Sequence, residues 1–180
     1  MSINHGANIP SKVVIELFDE YCPKTCDNFR KLCQGFQRED KVNISYAGSD
    51  VSRVVPGMFV QAGDLSKVLH AGKIAPPAAG FSIYGGEFPD ESFHVNHNEQ
   101  GLLGMCKRSN VKHSNECQFY VTLGAPLSFL DGKNVIFGRV VEGFRVFKLI
   151  EKMHTVNEKP TPNVIIEKAG VYEAAKITKK

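Results

Sequence analysis

The sequence predicts a mainly β domain with two α-helices, one near each end of the chain. Short runs rich in β-branched and aromatic residues recur along the chain and are typical of strands. Two other stretches show the helical spacing of apolar residues. No internal repeat or low-complexity block interrupts this pattern. A chain of 180 residues is long enough for one domain with a sizeable core.

The first predicted elements are a strand at 13–18 and a helix that follows it. Pro23 suits the first position of a helix, and Gly35 suits the position just past its end. An apolar stripe with helical spacing lies between them and is predicted to cover the interior of a sheet. It consists of Cys26, Phe29 and Cys33.

The rest of the chain returns to strand patterns, with one further helix. We predict a second helix at 144–153, with Phe147, Ile150 and Met153 on one side. Pro, Gly and Ala residues mark 70–80 as a loop, and 171–180 forms a polar tail. The strand patterns lie at 44–65, 101–105, 118–123, 135–141 and 164–167.

Composition excludes several classes of protein. The net charge of +3 is spread along the chain without a Lys/Arg stripe, so we expect no nucleic-acid ligand. No apolar run approaches the roughly 20 residues that span a bilayer, and the first residues lack the apolar core of a secretion signal. The five cysteines form no paired framework. Reduced thiols predict a cytoplasmic location, with the nucleus as the alternative.

The segment 52–64 carries the strongest functional signal. Arg53 lies on an apolar run of Val, Met and Phe, and Gln61 lies near its centre. A cation has little reason to occupy such a surface unless something is held against it. The two residues are eight positions apart, so they project from the same face if the strand is regular.

Together with 116–120 and 129–133, this segment resembles the active face of the cyclophilins, which are peptidyl-prolyl isomerases. The resemblance covers about 13–170 of a single domain spanning 1–180. It implies a closed eight-stranded antiparallel β-barrel capped by two α-helices. It also implies a monomer that binds proline-containing peptides and needs no metal or other cofactor.

The resemblance assigns roles to residues of this chain. The arginine matching Arg53 is the central catalytic residue, and Gln61 is its partner. Such an arginine suits the chemistry, because its charged, planar fork can donate a hydrogen bond to the nitrogen of a twisted amide. The implied substrate-binding residues are Met58, Phe59, Cys106, Lys107, Arg108, Gln118, Tyr120, Phe129, Leu130 and Asn134.

Several of these positions depart from the family pattern. The order of Met58 and Phe59 is reversed. Tyr120 replaces a phenylalanine, and the hydroxyl that the tyrosine adds needs a hydrogen-bond partner. Phe129 replaces a tryptophan that contacts cyclosporin, so we expect weakened cyclosporin binding. Asn134 replaces a histidine at the rim of the groove.

The opposite wall of the groove departs further. Cys106, Lys107 and Arg108 stand where the family has Ala-Asn-Ala, and Glu116 replaces a glycine at a gatekeeping position. Lys107 and Arg108 form either a solvated turn or a charged wall that favours acidic residues beside proline. These changes leave two functions open, which are an active isomerase and a peptide-binding module with little or no catalysis.

Other chemistry has less support in the sequence. No local signature pairs Cys106 or Cys117 with a histidine as in a thiol protease. His94 and His97 lack the neighbouring ligands of a metal site. We interpret Glu91 and His97 as supports of a loop or of the core.

Overall fold

The structure is a computed structural model that describes residues 1–4, 11–38, 41–66, 81–108, 111–124 and 126–172. The loop predicted at 70–80 and most of the polar tail lie outside these residues. Two α-helices are described in full, α1 (Pro23–Gln34) and α2 (Arg145–Glu151), with a 3-10 helix at Ser128–Leu130. The strands are β1 (Ser2–Asn4), β2 (Ser11–Lys12), β3 (Val14–Leu17), β4 (Phe36–Gln37), β5 (Asn43–Ile44), β6 (Val51–Val55), β7 (Phe59–Ala62), β8 (Leu102–Met105), β9 (Phe119–Thr122), β10 (Ile136–Glu142), β11 (Thr155–Val156), β12 (Lys159–Pro160) and β13 (Ile165–Lys168).

Helix α1 has the boundaries and the buried face that the sequence predicts. Pro23 lies in its first turn, and Gly35 ends it with a φ of 96°, which favours glycine. The predicted stripe of Cys26, Phe29 and Cys33 is buried. The Phe29 ring packs against the rings of Tyr46, Phe119 and Phe137.

Glu91 supports the beginning of α1. Its carboxylate accepts hydrogen bonds from the backbone N–H of Lys24 (2.9 Å) and of Thr25 (2.7 Å), and from the Thr25 hydroxyl. A carboxylate at a helix N-terminus satisfies free N–H groups and complements the helix dipole. The prediction that Glu91 is a structural support is therefore confirmed.

The main sheet has six antiparallel strands in the order β3-β10-β8-β9-β7-β6. Its central strands β8 and β9 are buried along their whole length, because both of their faces are covered. Strand β6 lies at the edge and has an exposed residue at its centre, Arg53. The predicted strand regions 101–105, 118–123 and 135–141 all contribute to this sheet.

The sequence pattern suggested strand throughout 44–65, but this segment is not one continuous strand. It folds back at 56–58, so that β6 and β7 form an antiparallel hairpin. Pro56 cannot donate to a sheet ladder, and Gly57 takes a φ of 74° in the turn. Arg53 and Gln61 still share a face, because they are direct partners across the hairpin rather than alternate residues of one strand.

A second sheet has the order β13-β1-β2, so the closed eight-stranded barrel is confirmed only as a mainly β fold with two helices. The two sheets meet where Asp50 lies opposite Ile165, with hydrogen bonds from Val51 N–H to the Val164 carbonyl (2.9 Å) and from Ile166 N–H to the Ser49 carbonyl (2.9 Å). A turn at Gly48 (φ 90°) precedes this junction.

The second predicted helix, 144–153, is confirmed in slightly shorter form as α2. Phe147 and Ile150 are buried in the core, and Met153 packs against it after the helix ends. Among the described residues, no helix has the length and apolar character needed to cross a membrane.

Candidate active site

A row of directly opposed residues crosses four strands of the main sheet. Arg53 on β6 lies opposite Gln61 on β7, which lies opposite Tyr120 on β9, which lies opposite Gly104 on β8. Directly opposed residues of antiparallel strands lie on the same face. The row therefore places the predicted catalytic pair and one predicted socket aromatic on one surface.

An apolar cluster adjoins this row. Phe59 and Tyr120 have ring centroids 5.6 Å apart, and Leu130 of the 3-10 helix packs against the same cluster with Cys106. The buried members are Leu102, Tyr120 and Ile136. The structure thus brings together four predicted binding residues that lie as much as 71 positions apart, from Phe59 to Leu130.

Gly104 makes room for the larger aromatic. A Cβ at this position would lie 2.7 Å from Cε2 of Tyr120 and would also overlap its Cζ and hydroxyl oxygen. Such distances are far below van der Waals contact, so a side chain here would displace the ring. The Tyr120 hydroxyl therefore occupies space that is open only because Gly104 has no side chain.

The Tyr120 hydroxyl is held in a buried hydrogen-bond chain. It lies 2.6 Å from Nε2 of His97, and Nδ1 of His97 lies 2.7 Å from a carboxylate oxygen of Asp131. Burial lowers the pKa of His97 despite the opposing effect of Asp131. The neutral ring donates a hydrogen bond from Nδ1 to Asp131 and accepts one from the phenol O–H at Nε2, so the prediction that His97 is a core support is confirmed.

Arg53 is paired with Glu158. Its Nε lies 2.5 Å and its Nη2 lies 3.2 Å from the two carboxylate oxygens. Hydrogen bonding to Glu158 raises the pKa of the guanidinium, and the same contact lowers the pKa of Glu158. The Arg53 Cζ lies 5.5 Å from the centroid of the Phe59 ring. The guanidinium therefore lies over one wall of the apolar cluster.

Within the described residues, the Gln61 side chain donates a hydrogen bond to Gln118 and makes none with Arg53. Its Nε2 lies 2.7 Å from Oε1 of Gln118. Both glutamines line a cavity of about 100 Å³ together with Cys106 and Arg108. The pair joins β7 to the residue before β9 and gives the groove a polar floor beside the apolar cluster.

Lys107 is neither a solvated turn residue nor a free charge. Its side chain is only 10% exposed and pairs at 2.6 Å with Asp90. Burial alone would raise the pKa of Asp90, but hydrogen bonds from Lys107, Asn115 and His113 outweigh it and lower the pKa. Lys107 also donates to the Lys133 carbonyl. Its charge is thus used within the fold, and the expected preference for acidic peptides loses this support.

Arg108 lies beside two carboxylates. It forms an ion pair with Glu87, and the neighbouring Glu116 carboxyl has a raised pKa because of burial and of the Glu87 charge. The Glu116 carbonyl accepts a hydrogen bond from Nδ2 of Asn28 (2.9 Å). Arg108 is thus paired with Glu87, and Glu116 lines the cavity beside Arg108 and Lys107, which also weakens the expectation of a cationic wall.

Besides Lys107, Arg108 and Gln118, three more predicted binding residues lie outside the apolar cluster. Met58 is half-buried in the turn between β6 and β7. Phe129 is 51% exposed on the 3-10 helix, at the edge of the site. Asn134 uses its amide to donate to the Met105 carbonyl (2.9 Å), so it braces β8.

The thiols give no support for nucleophilic chemistry. Burial raises the pKa of Cys106, and it raises the pKa of Cys117 to about 12, so both stay protonated near neutral pH. His94 stacks on Tyr21 instead of approaching either thiol. Within the described ranges, no group of three His, Cys, Asp or Glu residues could hold a metal ion.

The sequence interpretation missed Glu158 and the role of Gly104. Glu158 lies 105 positions from Arg53 and reaches it only because β12 lies beside β6. The size of Tyr120 is the one sequence signal that could have indicated a small residue opposite it.

Comparison with known proteins identifies the class to which this fold and site belong. The family described as cyclophilin type peptidyl-prolyl cis-trans isomerase/CLD matches residues 1–171. The chain therefore belongs to the cyclophilin family, as its sequence resemblance predicted.

Some relatives are named as isomerases, and one is named as a probable inactive isomerase. The chain is 42% identical over 161 residues to the probable inactive peptidyl-prolyl cis-trans isomerase-like 6 of Bos taurus, with 88% of this chain and 49% of the relative covered. It is 39% identical over 172 residues to peptidyl-prolyl cis-trans isomerase cyp11 of Rhizopus delemar, with 93% and 48% covered. It is 38% identical over 171 residues to peptidyl-prolyl cis-trans isomerase B of Saccharomyces cerevisiae, with 94% and 77% covered. The chain thus spans about half the length of the first two relatives.

Proposed function

We propose that this protein is a peptidyl-prolyl cis-trans isomerase that rotates X-Pro bonds in peptides or protein chains. The observation that carries this proposal is the row of Arg53, Gln61 and Tyr120 on one face, beside the apolar cluster. Rotation of an X-Pro bond faces a barrier of roughly 18–20 kcal/mol, because twisting destroys amide resonance. The reaction needs no cofactor and no net transfer of a proton.

The groups of the site match what such a catalyst must supply. Phe59, Tyr120 and Leu130 offer an apolar socket for the proline ring. Arg53 offers N–H donors above one wall of that socket, where they can stabilise the nitrogen of the twisted amide. Gln61 and Gln118 offer polar groups for the flanking peptide. Only contacts that are stronger in the twisted state accelerate the reaction.

Exchange spectroscopy on an X-Pro peptide tests this function. Native protein is expected to accelerate cis-trans exchange, and Arg53→Ala is expected to abolish most of that acceleration. Arg139→Ala is the matched control, because Arg139 is a similarly exposed arginine paired with Glu16 at 2.6 Å. Equal exchange rates in native protein and Arg53→Ala would sink the proposal.

A second candidate is a proline-peptide-binding module with little catalysis. The apolar cluster and the Gln61–Gln118 pair support it, because they can hold a proline peptide without acting on the twisted amide. The name of the Bos taurus relative, probable inactive, also supports it. Peptide binding by native protein without accelerated exchange would favour this candidate over the enzyme.

Two finer expectations belong with this proposal. We propose that the two sheets close into one barrel of eight strands, since β2 runs into β3 and β13 bridges to the chain before β6. We also propose that the protein is a monomer. It should bind cyclosporin weakly, because Phe129 lacks the indole N–H donor of the family's tryptophan.

A further inference from the structure

The hairpin between β11 and β12 places a glutamate where the backbone favours glycine. Val156 pairs with Lys159, so the hairpin loop has two residues, Asn157 and Glu158, with φ of 49° and 63°. Two consecutive positive φ angles are typical of a type I′ turn, for which Asn-Gly is the preferred sequence. Asn157 fits this turn, whereas Glu158 adopts a conformation that costs free energy for a residue with a Cβ.

The position of Glu158 relative to Arg53 is fixed by the backbone. The Val54 N–H donates to the Glu158 carbonyl at 2.7 Å, one residue along β6 from Arg53. The Glu158 carboxylate accepts hydrogen bonds from Nε and Nη2 of Arg53, which makes a two-point contact. The carboxylate therefore approaches the arginine from an anchored turn, and a two-point contact sets the plane of the guanidinium.

Among the described residues, the only hydrogen-bond partner of the Arg53 guanidinium is Glu158, which leaves its other donors for a ligand. A guanidinium has five N–H donors, and the contact with Glu158 uses two of them. Gln61, the partner implied by the family resemblance, is occupied with Gln118. A half-exposed arginine without a partner would lose side-chain entropy on becoming ordered in the transition state.

We propose that Glu158 is a positioning residue that holds the Arg53 guanidinium over Phe59, in the place of Gln61. This inference rests on the proposed isomerase function. The strain in the turn fits such a role, because strained backbone residues cluster at functional sites. Glu158 does not contact the reacting bond, so it acts only through Arg53.

The test compares Glu158→Gln and Glu158→Gly with native protein by exchange spectroscopy. Both variants are expected to lower kcat by about three- to tenfold with little change in KM, since the ground-state contacts of the peptide are kept. Glu158→Gly also removes the strained side chain, so its Tm should not fall. Glu16→Gln removes a matched exposed partner, that of Arg139, and should leave kcat unchanged.

A second readout is the ¹⁵N–¹H NMR signal of Arg53 Nε. It should be slowly exchanging in native protein and in Glu16→Gln, and exchange faster in Glu158→Gln. An unchanged Arg53 signal, or an unchanged or raised kcat in the Glu158 variants, would overturn the inference. If native protein is no faster than Arg53→Ala, the proposed function fails instead. The Arg53 Nε signal then tests the inference alone, and an equally slow exchange in native protein and Glu158→Gln overturns it.

Discussion

The hydroxyl oxygen of Tyr120 lies 2.6 Å from Nε2 of His97, which is itself buried. The phenol is therefore directed into the interior, and the ring remains available as an apolar wall of the groove. The larger aromatic is accommodated because Gly104 has no side chain and His97 accepts the added hydrogen bond. This relationship explains how a tyrosine can replace a phenylalanine without making the socket polar.

Removing the Tyr120 hydroxyl should destabilise the protein and leave its activity nearly unchanged. Tyr120→Phe leaves Nε2 of buried His97 without a partner, which costs about 1–3 kcal/mol of unfolding free energy. Urea unfolding measures this loss, and exchange spectroscopy measures activity. Tyr84→Phe is the control, because its exposed phenol donates to the Lys24 carbonyl at 3.0 Å and should cost less. Equal losses in the two variants would refute the importance of the buried chain.

A side chain at Gly104 should displace the Tyr120 ring. Gly104→Ala is expected to lower the unfolding free energy by about 1–3 kcal/mol and to reduce isomerase activity, because the new Cβ overlaps the ring. The cost should shrink when Tyr120→Leu is made as well, which a double-mutant cycle measures. Gly86→Ala is the control, since nothing lies within 4 Å of its added Cβ. Additive effects at Gly104 and Tyr120 would contradict this account.

Stability should fall as the pH drops below the pKa of an unfolded histidine. Burial lowers the pKa of His97, so the folded state binds fewer protons than the unfolded state. This contribution is fully present above about pH 6.5 and is lost as the pH falls towards the folded pKa. Urea unfolding at pH 7.5 and pH 5.5 measures it. His97→Gln should show a smaller drop between these two values, and an equal drop would assign the effect to other groups.

Lys107 should matter for stability rather than for peptide charge preference. Lys107→Met leaves the Asp90 carboxylate buried with one partner fewer, which should cost about 3–5 kcal/mol. Arg139→Met removes an exposed ion pair and should cost no more than about 1 kcal/mol. Peptides with Asp or Lys beside proline should be processed at similar rates by native protein. A strong preference for Asp would restore the interpretation of Lys107 as a groove charge.

Local pattern predicted much of the fold. The spacing of Cys26, Phe29 and Cys33 defined the buried face of α1, and the resemblance of the motifs around Arg53 and Tyr120 to the cyclophilins indicated the groove. The pattern at 44–65 concealed a hairpin, because the apolar residues on both sides of Pro56 and Gly57 resemble one long strand. The partners Glu158 and Asp90 could not be predicted, since ion pairs depend on which distant elements become neighbours. The sequence therefore suggested a more cationic groove than the structure has, because Lys107 and Arg108 are paired with carboxylates.

The most direct test of isomerase function is exchange spectroscopy with Arg53→Lys, with peptide affinity measured in the same samples. Lysine keeps the positive charge and loses the planar fork. We predict at least about a tenfold loss of kcat with nearly unchanged affinity, because the fork acts on the twisted amide rather than on the ground state. Equal kcat values in native protein and Arg53→Lys would contradict the central role of Arg53.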